Sequence, residues 1–410
     1  MNAIFISLMI PVNETMKIDG KAIKPIEEVT SFIQSELIKG LELCGCKFNI
    51  YNKIHVGNYP KKCDVLLFPT SVIQTESGKC TNVGFLNITS LDRLTFYFKT
   101  KKLIKKRLVL KQDDAVICYA ITDYNLKLLK LIKKHNKSIT TAIVIPDLPE
   151  YMHAKNEVGI KKLIRKHYLL YMNRLMEKCK DSIDLFILFS KPMAEKIGCK
   201  DRYIVMEGVA KNENNNFMCH PSTKITSKRT IFYGGGVSEE YGVKRLVDAF
   251  MMTDDENYEL IICGNGNAVE YVEQMALIDN RIHYAGVVSY QLAQEMLINS
   301  DIVVNPRLDG KYEFTKYSFP SKILDTLSLG KPLISYKLEG IPVDYYEYLI
   351  FVEDHKIESL KNKIDEVCHW TQRELEEFGK KGQQFVKENK NGCVQGRAIY
   401  QELLKNTVAK

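Results

Sequence analysis

Short continuous apolar runs alternate along this chain with longer amphipathic stretches, and that alternation narrows the possible folds more than any other feature. In the first half the apolar runs are residues 3–8, 64–68, 115–121, 141–145 and 184–189. Between them, apolar residues recur at helical spacing over 25–44, 123–135 and 157–179. A strand that is apolar on both faces must be covered on both faces, and a parallel sheet flanked by helices does this. The rhythm breaks at 210–228, a polar stretch containing Asn212, Asn214, Asn215 and Asn216, and this reads as an interdomain linker. It then restarts. Strands are expected at 230–233, 259–263, 281–284, 301–304 and 332–335, with helices at 243–252, 268–278, 291–298 and 321–329. One or two exposed helices are expected over 373–405.

The expected fold class is therefore α/β: two doubly wound, Rossmann-like domains facing across a cleft. The boundaries are 1–209 for a first domain, 210–228 for the linker and 229–385 for a second domain. A C-terminal helix at 386–410 packs back on the first domain. A length of 410 residues suits two cores better than one.

Composition excludes several classes. A hydrophobic fraction of 45% is that of a globular protein rather than a disordered one. The formal charge of +8 fits an anionic ligand, an anionic membrane surface or nucleic acid, and does not choose among them. No nucleic-acid partner is assigned. The eleven cysteines are scattered without a Cys-x-x-Cys pair, which disfavours zinc ribbons and suits a reducing compartment. The apolar start lacks a basic region and a cleavage site, so it reads as a buried strand rather than a signal peptide. No apolar run reaches the ~20 residues needed to span a bilayer. The expectation is a cytoplasmic protein, with basic clusters at 99–107, 127–137 and 161–171 that suit docking on the inner face of a membrane. Solvated helix faces are the other reading of those clusters.

In open parallel sheets, ligands bind beyond the carboxyl ends of the strands. Three segments of the second half stand there. Gly234-Gly235-Gly236 is followed by Tyr241, Gly242, Val243 and Lys244. A second segment is Cys263-Gly264-Asn265-Gly266. Either could be an ordinary tight turn or a close backbone approach to an anion. Gly264-x-Gly266 lacks the third glycine of a dinucleotide fingerprint, and no P-loop is present. The third segment is the most informative: Asn305-Pro306-Arg307, then Tyr317-Ser318-Phe319-Pro320-Ser321-Lys322, Asp325 and Gly330-Lys331-Pro332. Pro320 suits an early helix position and Ser318 an N-cap. Lys322 on the first turn and Arg307 at the strand end form a candidate diphosphate site. Asp325, three residues on, can accept ribose hydroxyls. An exposed Lys322–Asp325 ion pair is the competing reading.

These motifs, taken together over about residues 230–353, resemble the family 4 (group 1) glycosyltransferases of the GT-B fold; the first half resembles them in architecture only. The resemblance implies a nucleotide-sugar donor and transfer with retention. Phe319, Pro320 and Ser321 would contact the nucleotide, Lys322 the diphosphate and Asp325 the ribose, with Gly235, Gly236, Gly264 and Asn265 at the glycine loops. Asp325 stands where the family usually has Glu, and Tyr317 stands where many members have a Glu near the donor sugar. Glu313 is a nearby carboxylate. The family's Arg in the first glycine loop is absent, and Arg307 or Lys244 replaces its charge. A saccharide or lipid-linked acceptor would bind the first half. There Asp147, after the strand at 141–145, is the candidate acceptor carboxylate or, equally, an N-cap or turn residue, with Asp123 and Ser190 in similar positions and with weaker claims. The loop 9–19 and His153 are weaker candidates. No cofactor and no metal are called for, because fixed cations face the leaving diphosphate and no Asp-x-Asp motif is present. The rival readings are a non-catalytic GT-B subunit, which Tyr317 favours, a nucleotide-sugar epimerase of the same fold, and, least supported, a nicotinamide-dependent dehydrogenase.

Overall fold

The computed structural model describes residues 1–9, 17–18, 21–22, 28–75, 78–109, 113–151, 159–210 and 228–408. The chain divides into two compact units, Met1–Val209 with Gly392–Lys410, and Ala210–Asn391. Most of the 210–228 stretch lies outside the described residues, as do His153 and most of the loop 9–19.

The first unit is built on strands β1 (Asn2–Ser7), β2 (Lys47–Asn52), β3 (Ser71–Thr75), β4 (Gly78–Asn82), β5 (Ala115–Tyr119), β6 (Thr140–Ile145), β7 (Leu185–Leu188) and β8 (Tyr203–Val205). They form one sheet in the order β8-β7-β6-β5-β1-β2-β4-β3, parallel except for the β3–β4 pair. Every residue of β5, β6 and β7 is buried, as continuous apolar strands between two helical layers must be. The helices are α1 (Glu28–Leu43), α2 (Leu91–Val109), α3 (Asp123–His135), α4 (Ile160–Cys179) and α5 (Pro192–Ile197). Thr122 caps α3 by accepting the Asn125 N–H at 3.2 Å, so the helix starts where its sequence says.

One expected strand is corrected. Of residues 64–68 only Leu67–Phe68 is extended, and it pairs antiparallel with Phe85–Leu86 outside the main sheet. The sheet edge is taken instead by β4 and β3, whose polar residues hid them from a search for apolar runs.

The second unit has strands β9 (Arg229–Gly236), β10 (Tyr258–Asn265), β11 (Ile282–Tyr284), β12 (Ile302–Asn305), β13 (Leu333–Ser335) and β14 (Ile350–Phe351). All are parallel, in the order β11-β10-β9-β12-β13-β14. Its helices are α6 (Val243–Met251), α7 (Val269–Ile278), α8 (Tyr290–Asn299), α9 (Phe314–Tyr317), α10 (Lys322–Ser328), α11 (Ile357–Cys368) and α12 (Gln372–Asn389). Thr371 and Glu374 form a capping box that opens α12. The chain enters and leaves this unit side by side, where the Ala210 N–H donates to Lys390 O at 2.8 Å. The last helix, α13 (Gly392–Val408), packs on α1 of the first unit. A Cβ on Gly40 would sit 1.8 Å from Gly392 O, so this contact is a backbone-to-backbone approach.

Candidate functional site

Strand order in the second sheet reverses between β9 and β12, which opens a crevice at their carboxyl ends. The two glycine segments lie inside the strands rather than after them. β9 runs through Gly236 and β10 through Asn265, with Gly235 paired to Gly264. Close packing explains the glycines. A Cβ on Gly264 would meet Gly235 O at 1.7 Å, and one on Gly236 would meet the Tyr241 ring at 2.6 Å.

Gly235 has the further role of making room for Lys322. Its φ is +132°, and a Cβ there would lie 2.7 Å from Lys322 Cε and 3.0 Å from Nζ. The Lys322 ammonium sits 3.7 Å from the centre of the Tyr233 ring, whose hydroxyl is tied down by donating to Gly236 O at 2.6 Å. A half-buried cation over an aromatic face gains roughly 1–2 kcal/mol. Burial, with the Arg307 guanidinium adding its repulsion, pushes the Lys322 pKa down to about 7. Among the described residues no carboxylate pairs with Lys322, so the competing ion pair with Asp325 does not form.

Arg307 follows β12. Its guanidinium stacks 4.7 Å from the Tyr241 ring and 5.4 Å from the Phe314 ring, and donates to Ser318 Oγ at 3.0 Å. That bond corrects the sequence reading of Ser318. It is not an N-cap but the residue that ends α9, in extended backbone with φ −114° and ψ 135°. The next helix, α10, begins only at Lys322, with Ser321 before it already helical and making no side-chain cap. It is seven residues long, and its first-turn N–H groups at Ile323 and Leu324 already donate to Pro320 O and Ser321 O. A helix this short adds little dipole, so the positive potential here comes from the two side-chain cations.

The remaining expected donor-site residues are divided. Phe319 is buried with its ring 5.2 Å from Tyr345, a core contact that leaves only its backbone for a ligand. Pro320 is buried, Ser321 exposed, and Tyr317 and Asp325 half-buried. Asn265 is exposed and accepts the Gly266 N–H at 2.9 Å. Glu313 is exposed in the N-cap position of α9. Lys244 turns toward Glu239, at 3.8 Å, and lines a cavity of about 230 Å³ with Glu240, Arg245 and Asp248. Arg307, not Lys244, is the charge that reaches Lys322. Sequence reasoning assigned no role to Tyr233 or Tyr241, the rings that seat the two cations. Their adjacency to the glycines was the available signal.

In the first unit Asp147 is exposed in the bend after β6. Asp123 opens α3, within 3.2 Å of Lys127 and 3.7 Å of Arg93, and Ser190 is fully buried. Among the described residues no cluster of three His, Cys, Asp or Glu side chains is arranged to hold a metal ion.

Residues 218–385 match the family model described as glycosyl transferases group 1. No curated protein matches the chain in sequence. Solved structures match it over nearly its full length. Sucrose-phosphate synthase from Thermosynechococcus elongatus aligns with TM-score 0.62 and 13% identity, covering 98% of this chain and 99% of that one. The trehalose-6-phosphate protein from E. coli bound with UDP-2-fluoro glucose aligns with TM-score 0.64 and 9% identity, again over 98% and 99%. The lipopolysaccharide outer core galactosyltransferase WaaB aligns with TM-score 0.57 and 15% identity, over 100% and 99%. At such identities the likeness is one of fold, and that fold is GT-B.

Proposed function

We propose that this chain, a group 1 glycosyltransferase by its second unit, moves a sugar from a nucleotide-sugar donor to a saccharide or lipid-linked saccharide acceptor. The observation that carries this reading is Lys322: a cation seated on Tyr233, against Gly235 and near Arg307, with no carboxylate partner among the described residues. Such a pair of cations at a strand switch point is suited to an anion. When the bond from the anomeric carbon to the diphosphate breaks, negative charge grows on the leaving oxygens. Lys322 and Arg307 stabilise that charge without reorganising.

In this reading the backbone at Gly235, Gly236 and Gly264 lies close to the phosphates. Ser318, Pro320 and Ser321 border the nucleotide, Asp325 takes the ribose, and Tyr317 faces the donor sugar. Glu313 and Asp147 are the carboxylates offered to the sugar and the acceptor. The finer expectations follow the family 4 resemblance. They are retention at the anomeric carbon, hexosyl transfer without a metal or other cofactor, a role in surface polysaccharide or glycoconjugate synthesis, and a cytoplasmic location at the inner face of the membrane.

The test is thermal shift against a panel of uridine, adenosine and guanosine diphosphate sugars, followed by nucleotide release with saccharide acceptors. One donor is expected to raise the melting temperature, with Lys322→Ala losing that rise. If no nucleotide-sugar stabilises the protein, or if Lys322→Ala turns over normally, the assignment is wrong. A non-catalytic donor-binding subunit is the second reading, favoured by Tyr317 at the position where a carboxylate is usual. Donor binding without turnover by any acceptor would select it.

A further inference from the structure

The helix α4 carries two apolar faces where a surface helix needs one. Met172, Met176 and Cys179 are buried and anchor its second half to the first unit. A different stripe points to solvent. Ile160 is 77% exposed, Leu163 55% and Ile164 64%, and Leu170 and Tyr171 continue the line at helical spacing. Large aliphatic side chains in a contiguous exposed stripe mark a surface that meets something apolar.

The charges around the stripe say what that surface meets. Lys166 and Arg174 are exposed along its flank, and Lys161 and Lys162 are exposed on the same first turn. The single acid of α4, Glu177, is held by Lys180 at 2.6 Å. Helix α2 repeats the pattern. Leu91, Leu94 and Phe98 are exposed one turn apart, and Lys102 and Lys105 extend the same face. Its single acid, Asp92, is buried against Lys53 at 3.1 Å. The two helices are tied together. Arg93 of α2 donates to Tyr168 of α4 at 2.8 Å, and Lys127 of α3 lies 5.8 Å from the Tyr97 ring and 5.7 Å from the Tyr171 ring.

We propose that the exposed face of α4, continued by α2, docks on an anionic lipid surface, its aliphatic side chains entering the headgroup boundary and its lysines pairing with lipid phosphates. A protein partner would need a complementary acidic rim, and a second copy of this face would set lysines against lysines. An anionic bilayer satisfies both the apolar stripe and the uncompensated positive charge. Among the described residues no helix is long and apolar enough to cross a membrane, so the contact lies on the surface. This deepens the proposed lipid-linked acceptor and rests on that reading for its purpose.

The experiment is flotation of the full chain with vesicles of mixed phosphatidylglycerol and phosphatidylcholine, and with phosphatidylcholine alone. The wild type is expected to float with the anionic vesicles at low salt, to be released by high salt, and to ignore the neutral ones. Two triple variants, Ile160→Asp/Leu163→Asp/Ile164→Asp and Lys161→Glu/Lys162→Glu/Lys166→Glu, are each expected to lower partitioning by about 100-fold. All six side chains are exposed, so the melting temperature and its shift by nucleotide-sugar should not change. Absence of flotation at low salt overturns the proposal, as does equal binding by the variants. So does a dimer in sedimentation that the aspartate variant dissolves, if the wild type does not float. Flotation in a protein that no nucleotide-sugar stabilises would instead remove the functional reading and leave the docking face standing.

Discussion

Each sheet reverses its strand order once, between β1 and β5 in the first unit and between β9 and β12 in the second, and the two reversals are finished in opposite ways. At the carboxyl end of β1 the chain satisfies itself. Asn52 accepts from Ser7 Oγ at 2.9 Å and from the Met9 N–H at 3.0 Å, and donates to Asn82 Oδ1 at 2.8 Å and to Met9 O at 2.9 Å. Gln34 binds both the N–H and the carbonyl of Leu8. Neutral amides that complete one another's hydrogen bonds hold a loop in place. At the second reversal the polar groups are cations seated on aromatic rings, and Lys322 is held in a place that costs it part of its charge. The first arrangement serves stability and the second is suited to binding, although both occupy the position where α/β sheets take ligands.

The sharpest way to break this contrast is Lys322→Ala. Transfer should fall by about 100- to 1,000-fold, with donor affinity reduced, while thermal denaturation of the protein without donor changes by less than about 1 kcal/mol, because the lost contact with the Tyr233 ring is offset by relief of the half-buried cation's desolvation and of its repulsion by Arg307. A strongly destabilised variant with normal turnover would show that Lys322 is structural. Gly235→Ala attacks the same seat from the backbone. The new methyl must displace Lys322 and strain a positive φ, so donor affinity should drop by about tenfold or more, with a stability cost of about 1–3 kcal/mol. Calorimetry of donor binding beside a denaturation curve separates the two effects.

Asn52→Ala tests the other side. It strands the Ser7 hydroxyl, the Met9 N–H and the Asn82 carbonyl oxygen in a dry environment, for a loss of about 2–4 kcal/mol in chemical denaturation. Donor affinity in the second unit should not move. If it does, the two regions are coupled and the contrast is too simple.

The smallest effect is that of pH. With the Lys322 pKa near 7 in the empty protein, a bound diphosphate must restore its proton. Binding therefore takes up a proton above pH 7, and affinity should fall by about fivefold between pH 7 and 8. The empty protein behaves oppositely. Its folded pKa lies below the ordinary 10.5, so the unfolded chain holds more protons between 7 and 10.5. The Lys322 contribution to stability accordingly rises with pH across that window. Lys322→Gln should flatten both profiles, as calorimetry and pH-dependent melting would report.

Much of this fold could be read from the sequence because its strands are apolar on both sides. Runs such as 141–145 and 259–263 have few alternatives once they recur between amphipathic stretches, and the helix expected from spacing over 123–135 is found at Asp123–His135, capped by Thr122. Strands that are half polar, β3 and β4, were missed, and 64–68 was misplaced, because an apolar run does not say which sheet it joins. Within the candidate site, Lys322, Arg307 and the glycines were singled out by type and spacing, and the structure brings Lys322 against Gly235 and near Arg307. Ser318 was misread because a serine two residues before a proline looks like a cap whatever it does in space. It closes α9 and binds Arg307 instead.

The sequence by itself determined that there would be two α/β units, and it singled out the glycine segments and the Arg307–Lys322 stretch of the second as the candidate site, since periodicity and residue type are local properties of the chain. Only the tertiary structure decided that Lys322 turns from Asp325 to the face of Tyr233, and that Gly235 must be glycine to admit it. It likewise decided that α4 keeps a second apolar face in water. Each of these depends on which surfaces meet after the chain has closed, and a helical or strand period carries no record of its eventual neighbour.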